Sequence, residues 1–487
     1  MNWNTTAPAD HQQFAPTDVF AAGLVQHHIA NTAYPIGHVA TMRPYRVARQ
    51  HQATVAAQAW ESIERLGLYV HIPFCEKRCS FCEYTVVDPH ENLAAEDLYF
   101  DQLIREFELW SKAIHSTDKT LIGFDIGGGT PALPKVTNIA RVIEAAQRHF
   151  QFKPGMVISL ETTPRIAAND PTKMRDLHRL GIERISMGVQ VVQPSLLKAL
   201  GRNASAVDLN FAARDHIRAA GFEKFNVDLM YGFARQPLRA WAETLQHAID
   251  LAPEYITLYR IRYKGTRIAE QATQVRLEEV NAMTTLAKEM LAAAGYTANP
   301  GKNTFSRVPG EVGTSDYLTE RVIHGTPYLG LGLGAQTLSP ATLAYNAGAA
   351  DKSLRLYQQK IEAGQLPLQD VYHLSIEAAM GKMISVSFYF GEINLASFER
   401  KFGLKLATAF PDEIEFVVRR GLMEYTADTL RLTPHGAQHT NGVIALFYAP
   451  AVKEYLLKLT RGEQVSSLPV RRKVERPDCA VLTPATT

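Results

Sequence analysis

Short apolar segments alternate with amphipathic segments from residue 67 to about residue 262, and this pattern limits the folds open to the chain. The apolar segments have the length of strands, and the segments between them repeat apolar residues with helical period. The predicted strands are 67–72, 121–126, 156–161, 184–189, 225–230 and 255–260. The helical segments include Ala95–Ile114, Thr137–Phe150, Asp208–Ala220 and Leu238–Leu251. Strands that alternate with helices form parallel sheets, so the sequence predicts an α/β fold built from β/α units.

The carboxyl ends of parallel strands are where sheets and barrels of this kind carry their functional residues. The pattern breaks after Tyr259, which favours a partial barrel of six units. Periodicity alone also allows a full barrel of eight units.

Three of the four cysteines follow the first predicted strand with C-x₃-C-x₂-C spacing, as Cys75, Cys79 and Cys82. Three thiolates can hold a [4Fe–4S] cluster and leave one iron without a protein ligand. A structural zinc site normally takes four ligands, and the remaining cysteine, Cys479, lies in a distant polar tail. A catalytic zinc site and three unrelated cysteines are the alternatives left open by the spacing.

The composition is that of a soluble enzyme. The chain has 487 residues, of which 46% are hydrophobic, and its 51 Lys and Arg nearly balance 49 Asp and Glu. The basic residues are dispersed, so they indicate neither nucleic-acid binding nor an anionic membrane surface. No apolar run is long enough to span a bilayer, and the amino terminus lacks the pattern of a secretory signal. We therefore expect a cytoplasmic protein with reduced cysteines.

Five motifs occur in order along the chain: Tyr69–Cys75, the three cysteines with Phe81 before the last, Asp125–Pro131, Arg184–Gln190 and Asn226–Gly232. Together they resemble the radical S-adenosylmethionine (SAM) superfamily and, within it, the oxygen-independent coproporphyrinogen III oxidase (dehydrogenase) family. The resemblance extends from about residue 65 to residue 450. It implies a partial (β/α)₆ radical SAM barrel with an N-terminal arm and a C-terminal helical, winged-helix-like domain.

The resemblance also implies a cofactor set and the residues that bind it. The cysteines would hold a [4Fe–4S] cluster whose open iron binds SAM, and one electron would cleave SAM to methionine and a 5′-deoxyadenosyl radical. The first SAM would contact Tyr69, Gly128, Gly129, Thr130 and Glu161. A second SAM would lie against Phe81, Gln190, Arg202 and Asp228, and Gln336 is one further candidate contact.

Two of these assignments have structural alternatives. The glycines at 127–129 could serve only as a tight turn from strand to helix. Arg202 and Asp228 could form a salt bridge, since buried charges need partners.

The residues that follow Cys82 depart from the family. Its members usually continue with Gly-Cys-Asn, whereas this chain has Glu83-Tyr84-Thr85. Glu83 and Tyr84 are therefore the catalytic candidates, and the change puts porphyrinogen decarboxylation in doubt without excluding it. This favours C-methylation of an sp² carbon in an aromatic, quinone or tetrapyrrole substrate. The alternatives are oxidative decarboxylation of coproporphyrinogen III and a heme chaperone, although the long N-terminal arm argues against the chaperone.

The domain boundaries follow from the same patterns. We expect an arm at 1–66 that is extended and flexible at its start, a core at 67–265, a substrate-side extension at 266–365, a C-terminal domain at 366–460 and a disordered tail at 461–487. Within these, 274–294 is predicted as a helix, 300–325 as a long polar loop, Tyr328–Gln336 as a strand, and Gly421–Gly436 as a two-stranded ribbon. The expected partners are a small aromatic or tetrapyrrole substrate and a reductant such as flavodoxin or ferredoxin, with the chain as a monomer.

Overall fold

The computed structural model describes residues 13–87, 94–202 and 207–463. Predictions for residues 1–12 and for the tail beyond residue 463, Cys479 included, lie outside the described residues. No helix in the described part of the chain is both long and apolar enough to cross a membrane.

The six predicted strands are all present and form the parallel centre of one large sheet. The strands of the core are β1 (Arg65–Ile72), β2 (Thr120–Gly128), β3 (Gln151–Phe152), β4 (Ile158–Thr162), β5 (Ile182–Gln190), β6 (Lys224–Tyr231) and β7 (Tyr255–Arg260). The parallel order is β1-β2-β4-β5-β6-β7, and the short β3 pairs with β2 off this path. This order confirms the partial barrel of six units, because the next strand along the chain joins β7 antiparallel.

Helices cover the sheet, and the four predicted helices begin and end within one residue of their predicted bounds. Three further short helices in the described core were not predicted. The core helices are α4 (Ala94–Ile114), α5 (Val136–His149), α6 (Pro164–Asn169), α7 (Pro171–Arg179), α8 (Pro194–Ala199), α9 (Val207–Ala219) and α10 (Leu238–Asp250). Their apolar faces meet the strands in one continuous core that includes Leu68, Phe107, Leu160 and Trp241, all fully buried. Burial of this apolar surface from water is the main force that holds the helices on the sheet.

The segment after β7 extends the sheet at both edges and corrects two predictions. Its elements are α11 (Leu277–Ala293), β8 (Thr304–Ser306), α12 (Asp316–Ile323), β9 (Tyr328–Leu331), β10 (Gln336–Leu338), β11 (Thr342–Asn346), α13 (Leu354–Glu362) and β12 (Leu368–His373). The predicted loop at 300–325 contains β8 and α12, because Thr304–Ser306 pairs with β7 and Ser315 caps α12. The single strand predicted at Tyr328–Gln336 is two strands, since the chain turns at Gly332 and Gly334, whose φ values are positive. β9 then pairs parallel to β1, and β10–β12 continue antiparallel.

The N-terminal arm is helical and packed rather than extended. It forms α1 (Pro16–Val25), α2 (His38–Thr41) and α3 (Gln52–Gln58). Proline at the first turn and Asp18 near the amino end favour the start of α1. The prediction of an extended, flexible start is therefore wrong for residues 16–25, because the helix finds an apolar partner that the local sequence does not reveal.

That partner is the C-terminal domain, which consists of helices and a small antiparallel sheet. The helices are α14 (Ile376–Ser387), α15 (Leu395–Phe402), α16 (Leu406–Ala409), α17 (Pro411–Arg419), α18 (Pro434–Gln438), α19 (Thr440–Leu446) and α20 (Pro450–Thr460); the strands are β13 (Glu392–Asn394), β14 (Met423–Tyr425) and β15 (Thr429–Leu432). β14 and β15 are the predicted ribbon, and β13 pairs on its other side. Helix α1 lies against α19 so closely that a Cβ on Gly23 would sit 2.5 Å from the carbonyl oxygen of Asn441.

Candidate active site

A cavity of about 480 Å³ opens at the carboxyl ends of the parallel strands. Its wall combines three parts of the chain that are far apart in sequence. The core contributes the cysteine loop and the ends of β2, β4, β5, β6 and β7; the arm contributes residues such as His28; and the C-terminal domain contributes residues such as Tyr389 and Asn441. The site therefore forms only when all three parts are folded together.

The cysteine loop leaves β1 and is held by the backbone. The amide of Cys75 donates to Val87 O at 3.1 Å, and the amide of Val87 donates to Pro73 O at 2.8 Å, so the chain returns beside the exit of the strand. Farther along, the amide of Ser80 donates to Leu200 O at 2.8 Å. These bonds place Cys75, Cys79 and Cys82 on the wall of the cavity, where each is a free thiol.

The donor set suits a cluster better than a single ion. In the part of the chain that the structure describes, no group of three or more His, Cys, Asp and Glu side chains could hold one metal ion. A [4Fe–4S] cluster instead takes one thiolate on each of three irons. Burial raises the pKa of Cys79 and of Cys82, so these thiols need positive charge nearby to ionise.

The glycine segment at the end of β2 packs tightly against the same loop. The amide of Gly129 donates to Ile72 O at 2.8 Å and that of Thr130 to Phe74 O at 2.7 Å. A Cβ on Gly129 would lie 2.6 Å from Phe74 O, so a larger residue would push the two segments apart. The structural reason for this glycine is therefore close packing, and Gly128, Gly129 and Thr130 also line the cavity as predicted for SAM contacts.

Glu161 faces the cavity from the end of β4. Its Oε2 accepts a hydrogen bond of 3.3 Å from the amide of Gly128. The side chain is open to the cavity but lies deep in the molecule, and burial together with the carboxylate of Asp228 raises its pKa to about 8. Such a carboxyl group is arranged to receive a cationic ligand, which would restore its charge.

Asp228 faces the cavity from β6, two strands away. It accepts hydrogen bonds from Ser186 Oγ at 2.7 Å and Asn226 Nδ2 at 2.8 Å. Arg202 does not pair with it; its Nη2 donates to Gly188 O at 2.7 Å instead. Among the described residues, then, the alternative of an Arg202–Asp228 salt bridge is wrong.

Gln190 ends β5 in an unusual backbone conformation. Its φ is +70°, and the pairing of β5 with β6 skips a residue between Gly188 and Gln190, as in a β-bulge. The bulge aims the side chain into the cavity, where its buried Oε1 has no hydrogen-bond partner. Phe81, Gln190, Arg202 and Asp228 thus line one cavity, as the second-SAM prediction requires, and an unpaired buried amide oxygen is suited to a polar ligand.

Glu83 and Tyr84 also lie on the wall of the cavity. Glu83 forms an ion pair with Arg262, which follows β7. Tyr84 is 52% exposed although it lies deep in the molecule, because its ring projects into the cavity. Tyr259 is 39% exposed for the same reason, so two aromatic rings are available to a bound ligand.

Two predicted residues do not reach the cavity wall. Tyr69 lies behind it, next to His71 and Gly127. Gln336 bridges two tyrosines, accepting from Tyr328 and donating from Nε2 to Tyr345 at 2.9 Å. These two hydrogen bonds explain the position of Gln336. The side chain would have to move to contact a SAM molecule in the cavity.

Several residues of the site were not predicted from the sequence. His27, His28 and Asn31 come from the arm, Tyr259, Arg260 and Arg262 from the end of β7, and Tyr389 and Asn441 from the C-terminal domain. The β7 group had a usable signal, because two arginines two positions apart directly follow an apolar strand. For the arm, the His27-His28 pair was visible, but nothing in the local sequence places it over a sheet that begins later in the chain.

Arg260 joins the arm to the C-terminal domain across the cavity. Its guanidinium donates to His27 Nδ1 and, at 2.8 Å, to Asn441 Oδ1. Asn441 Nδ2 in turn donates to His27 O at 3.1 Å. Burial and the charge of Arg260 lower the pKa of His27 to about 3, so His27 is neutral and accepts from the arginine.

Comparison with known proteins gives the same architecture. The radical SAM superfamily matches residues 69–248, and the HemN C-terminal domain matches residues 390–439. The oxygen-independent coproporphyrinogen III oxidase of Salmonella typhimurium is 26% identical over 82% of this chain and 88% of its own length. The heme chaperone HemW of Haemophilus influenzae is 24% identical over 78% of this chain and 97% of its own length.

One solved structure shares the fold over most of the chain. Coproporphyrinogen III oxidase (HemN) from Escherichia coli, described as a radical SAM enzyme, superimposes with a TM-score of 0.70 at 24% sequence identity. The match covers 87% of this chain and 98% of the other. The two proteins therefore share one fold over most of this chain.

Proposed function

For this chain, which belongs to the radical SAM superfamily as an enzyme of HemN and HemW type, we propose oxidative decarboxylation of a propionate-bearing tetrapyrrole. Coproporphyrinogen III is the first substrate to test. The observation that carries the proposal is one cavity that joins the cysteine loop to two half-buried arginines, Arg260 at the end of β7 and Arg262 just after it. Two relatives support it, because the oxygen-independent coproporphyrinogen III oxidases of Salmonella typhimurium and Escherichia coli match 82% and 85% of this chain.

The cofactors are those of the family, a [4Fe–4S] cluster and SAM, and the residues present fit them. Three free thiols lie on one loop. Glu161, whose pKa is raised, lies near the end of β4 on the same cavity wall. Bound together, the cluster and SAM supply a 5′-deoxyadenosyl radical. In the proposal, the cysteines hold the cluster, and Glu161 with the Gly128–Thr130 segment holds SAM against it.

The rest of the cavity suits a flat substrate with several carboxylates. Arg260, Arg262, Lys288 and Lys302 all contribute to its wall. Burial lowers the pKa of Lys302 to about 8, so a carboxylate beside it would stabilise its charged form. The rings of Tyr84 and Tyr259 offer surfaces for stacking against a macrocycle.

A second SAM is part of the proposal. Phe81, Gln190, Arg202 and Asp228 line the cavity together, and the buried Oε1 of Gln190 lacks a partner. In a decarboxylase the second molecule would be a second radical source or a structural ligand. In a methyltransferase it would be the methyl donor.

Methyl transfer, favoured by the residues after Cys82, has less support than decarboxylation. The relatives named above are coproporphyrinogen III oxidases and a heme chaperone. Glu83, the residue that raised the doubt, pairs with Arg262 and so has a role in the protein that requires no methyl chemistry.

Product analysis under anaerobic conditions tests the proposal. The reconstituted enzyme would be reduced and given coproporphyrinogen III, labelled in the propionate carboxyls, with SAM that carries a deuterated methyl group. Decarboxylation predicts labelled carbon dioxide, vinyl-bearing products and deuterium only in methionine. Deuterium in the tetrapyrrole with S-adenosylhomocysteine would select methyl transfer, and stable heme binding without turnover would select the chaperone.

A further inference from the structure

Glu83 is surrounded by more positive charge than it can neutralise. Its carboxylate pairs with Arg262, and its backbone carbonyl accepts a hydrogen bond of 2.8 Å from Lys352 Nζ. Lys264 and Arg78 complete what we call the cation cluster: Arg78, Arg262, Lys264 and Lys352. Among the described residues, the only ion pair that any of these four side chains forms is the one between Arg262 and Glu83.

Hydrogen bonds and electrostatic interactions show where these cations lie relative to the cysteine loop. Arg78 Nη2 donates to Cys82 O at 3.0 Å, so it holds the residue before Glu83. Lys264 lies close enough to Glu83 for that carboxylate to offset part of the burial that lowers its pKa. Burial and the nearby Arg78 lower the pKa of Lys352. Arg262, Lys264 and Lys352 thus interact electrostatically with the Glu83 carboxylate, and Arg78 is held by the preceding residue, Cys82.

The cation cluster has capacity for further anionic groups. Arg78 Nε is buried and has no hydrogen-bond partner. A buried donor without a partner costs free energy, which a ligand oxygen would recover. Arg78 and Arg262 line the cavity, and the side chains of Arg262 and Glu83 are 29% and 30% exposed. A ligand can therefore reach the ion pair from the cavity.

We propose that Glu83 occupies the place of a substrate carboxylate, and that a propionate of the substrate displaces it from Arg262 and then bonds to the cation cluster. The guanidinium of Arg262 matches the planar geometry of any carboxylate, whether from Glu83 or from a ligand. Before substrate binds, Glu83 stabilises the buried arginine. When substrate binds, the internal carboxylate gives way to one of several on the ligand.

The displacement gives the site selectivity for polycarboxylates. A ligand with one carboxylate would exchange one ion pair for another and gain little. A ligand with several carboxylates also reaches Arg78, which lines the same cavity and has no carboxylate partner among the described residues. This inference rests on the proposed function, since it takes the propionates of a tetrapyrrole as the groups that bind.

Binding of coproporphyrin III, the oxidised and unreactive form with four carboxylates, tests the inference without turnover. We expect Glu83→Gln to tighten its binding to the cluster-loaded protein about fivefold or more, because the competing carboxylate is gone. Arg262→Gln should weaken binding about tenfold, as for the loss of a charge-assisted hydrogen bond. In the Arg262→Gln background, Glu83→Gln should have little further effect, because the two residues act through one contact.

Arg267→Gln is the matched control, since it removes a charge from an exposed residue whose backbone amide donates to Ser80 O of the same loop. Its binding should be unchanged. Mesoporphyrin, with two carboxylates, should bind the unmodified protein more weakly than coproporphyrin, because it leaves more of the cation cluster unpaired. Iron content and circular dichroism verify that each variant is folded and loaded.

Weaker binding of coproporphyrin by Glu83→Gln, or an undiminished effect in the Arg262→Gln background, would overturn the displacement. Failure of the proposed function would look different. A protein that binds coproporphyrin in the predicted manner but releases no carbon dioxide from coproporphyrinogen III would keep this site and lose only the decarboxylase assignment.

Discussion

Glu161 and Asp228 lie in the carboxyl-terminal halves of two strands that are separated by one other strand, and their carboxylates face the same cavity. Burial and the charge of Asp228 raise the pKa of Glu161 from its ordinary 4.5 to about 8. Two acidic groups on an enclosed wall are unfavourable in the ligand-free protein. A cationic ligand between them would remove this cost.

Glu161→Gln should therefore stabilise the protein when it carries neither cluster nor SAM. Because the folded state holds a proton on Glu161 up to about pH 8 and the unfolded state only to about 4.5, the contribution of Glu161 to stability falls as pH rises between these values. The side chain is open to the cavity, so we expect a gain of only about 1 kcal/mol at pH 8 and almost none at pH 5. Urea unfolding at both pH values measures it, with Glu183→Gln at an exposed position of β5 as control. Equal gains at both pH values would show that the charge of Glu161 is not the cause.

The cysteines give the second prediction. Replacing Cys75, Cys79 and Cys82 together by alanine should abolish cluster assembly, because these three thiols are the proposed ligands to the irons. Cys479→Ala should retain full iron content and the broad visible absorption of the cluster. Anaerobic reconstitution with iron and sulfide analysis tests both. Substantial cluster in the triple variant would refute the assignment.

Gly129→Ala tests the packing between β2 and the cysteine loop. The added Cβ would lie 2.6 Å from Phe74 O and 2.7 Å from Pro73 O, which are backbone atoms with little freedom to move. We expect the loop to shift, cluster yield to fall severalfold and the protein to lose about 1–3 kcal/mol of stability. Gly181→Ala is the control: an added Cβ there would meet no atom within 4 Å, so it reports only the strain of a positive φ. Normal cluster yield in Gly129→Ala would show that the loop tolerates displacement.

Asn441 should help to hold the N-terminal arm in place over the cavity. This side chain donates to His27 O and accepts from Arg260, so it joins the arm, β7 and the C-terminal domain. Asn441→Ala leaves buried groups without partners, and we expect faster amide hydrogen exchange in residues 26–34 together with a raised KM. Asn281→Ala, which removes an exposed hydrogen bond to Gln438 O, should change neither. Unchanged exchange in the arm would mean that α1 packing alone holds it.

The sequence was sufficient for the parallel core because each of its strands is a separate apolar segment flanked by an amphipathic helix. Glu161 and Asp228, both chosen from the sequence, line one cavity because the topology brings the carboxyl-terminal parts of parallel strands together. The sequence did not predict elements whose pairing partners are far away along the chain. Thr304–Ser306 is too short to be recognised as a strand, and it exists because β7 has a free edge.

Distance along the chain also explains why the site residues of the arm and of the C-terminal domain were not predicted. His27 and Asn441 lie more than four hundred residues apart in the chain and meet only because α1 packs on α19. Gly23 and Gly442 allow that close contact, but an isolated glycine in a helix does not identify its partner. The periodicity of a helix shows which of its faces is apolar, but not which other helix packs against that face.

Asp228→Asn tests the proposed second SAM site. The substitution keeps the size of the side chain and one acceptor, and it removes the charge that Ser186 and Asn226 hold in place. Because Asp228 lies on β6 and not on the cysteine loop, iron content and cluster absorption should match those of the unmodified protein. Turnover should fall by about a hundredfold or more if Asp228 binds a second SAM, as expected when a buried charged contact is lost. The number of SAM molecules bound at equilibrium should fall from two to one, and the Glu161→Gln variant provides the comparison in which the other molecule is lost. An Asp228→Asn protein that still binds two SAM molecules and turns over normally would remove this residue from the site.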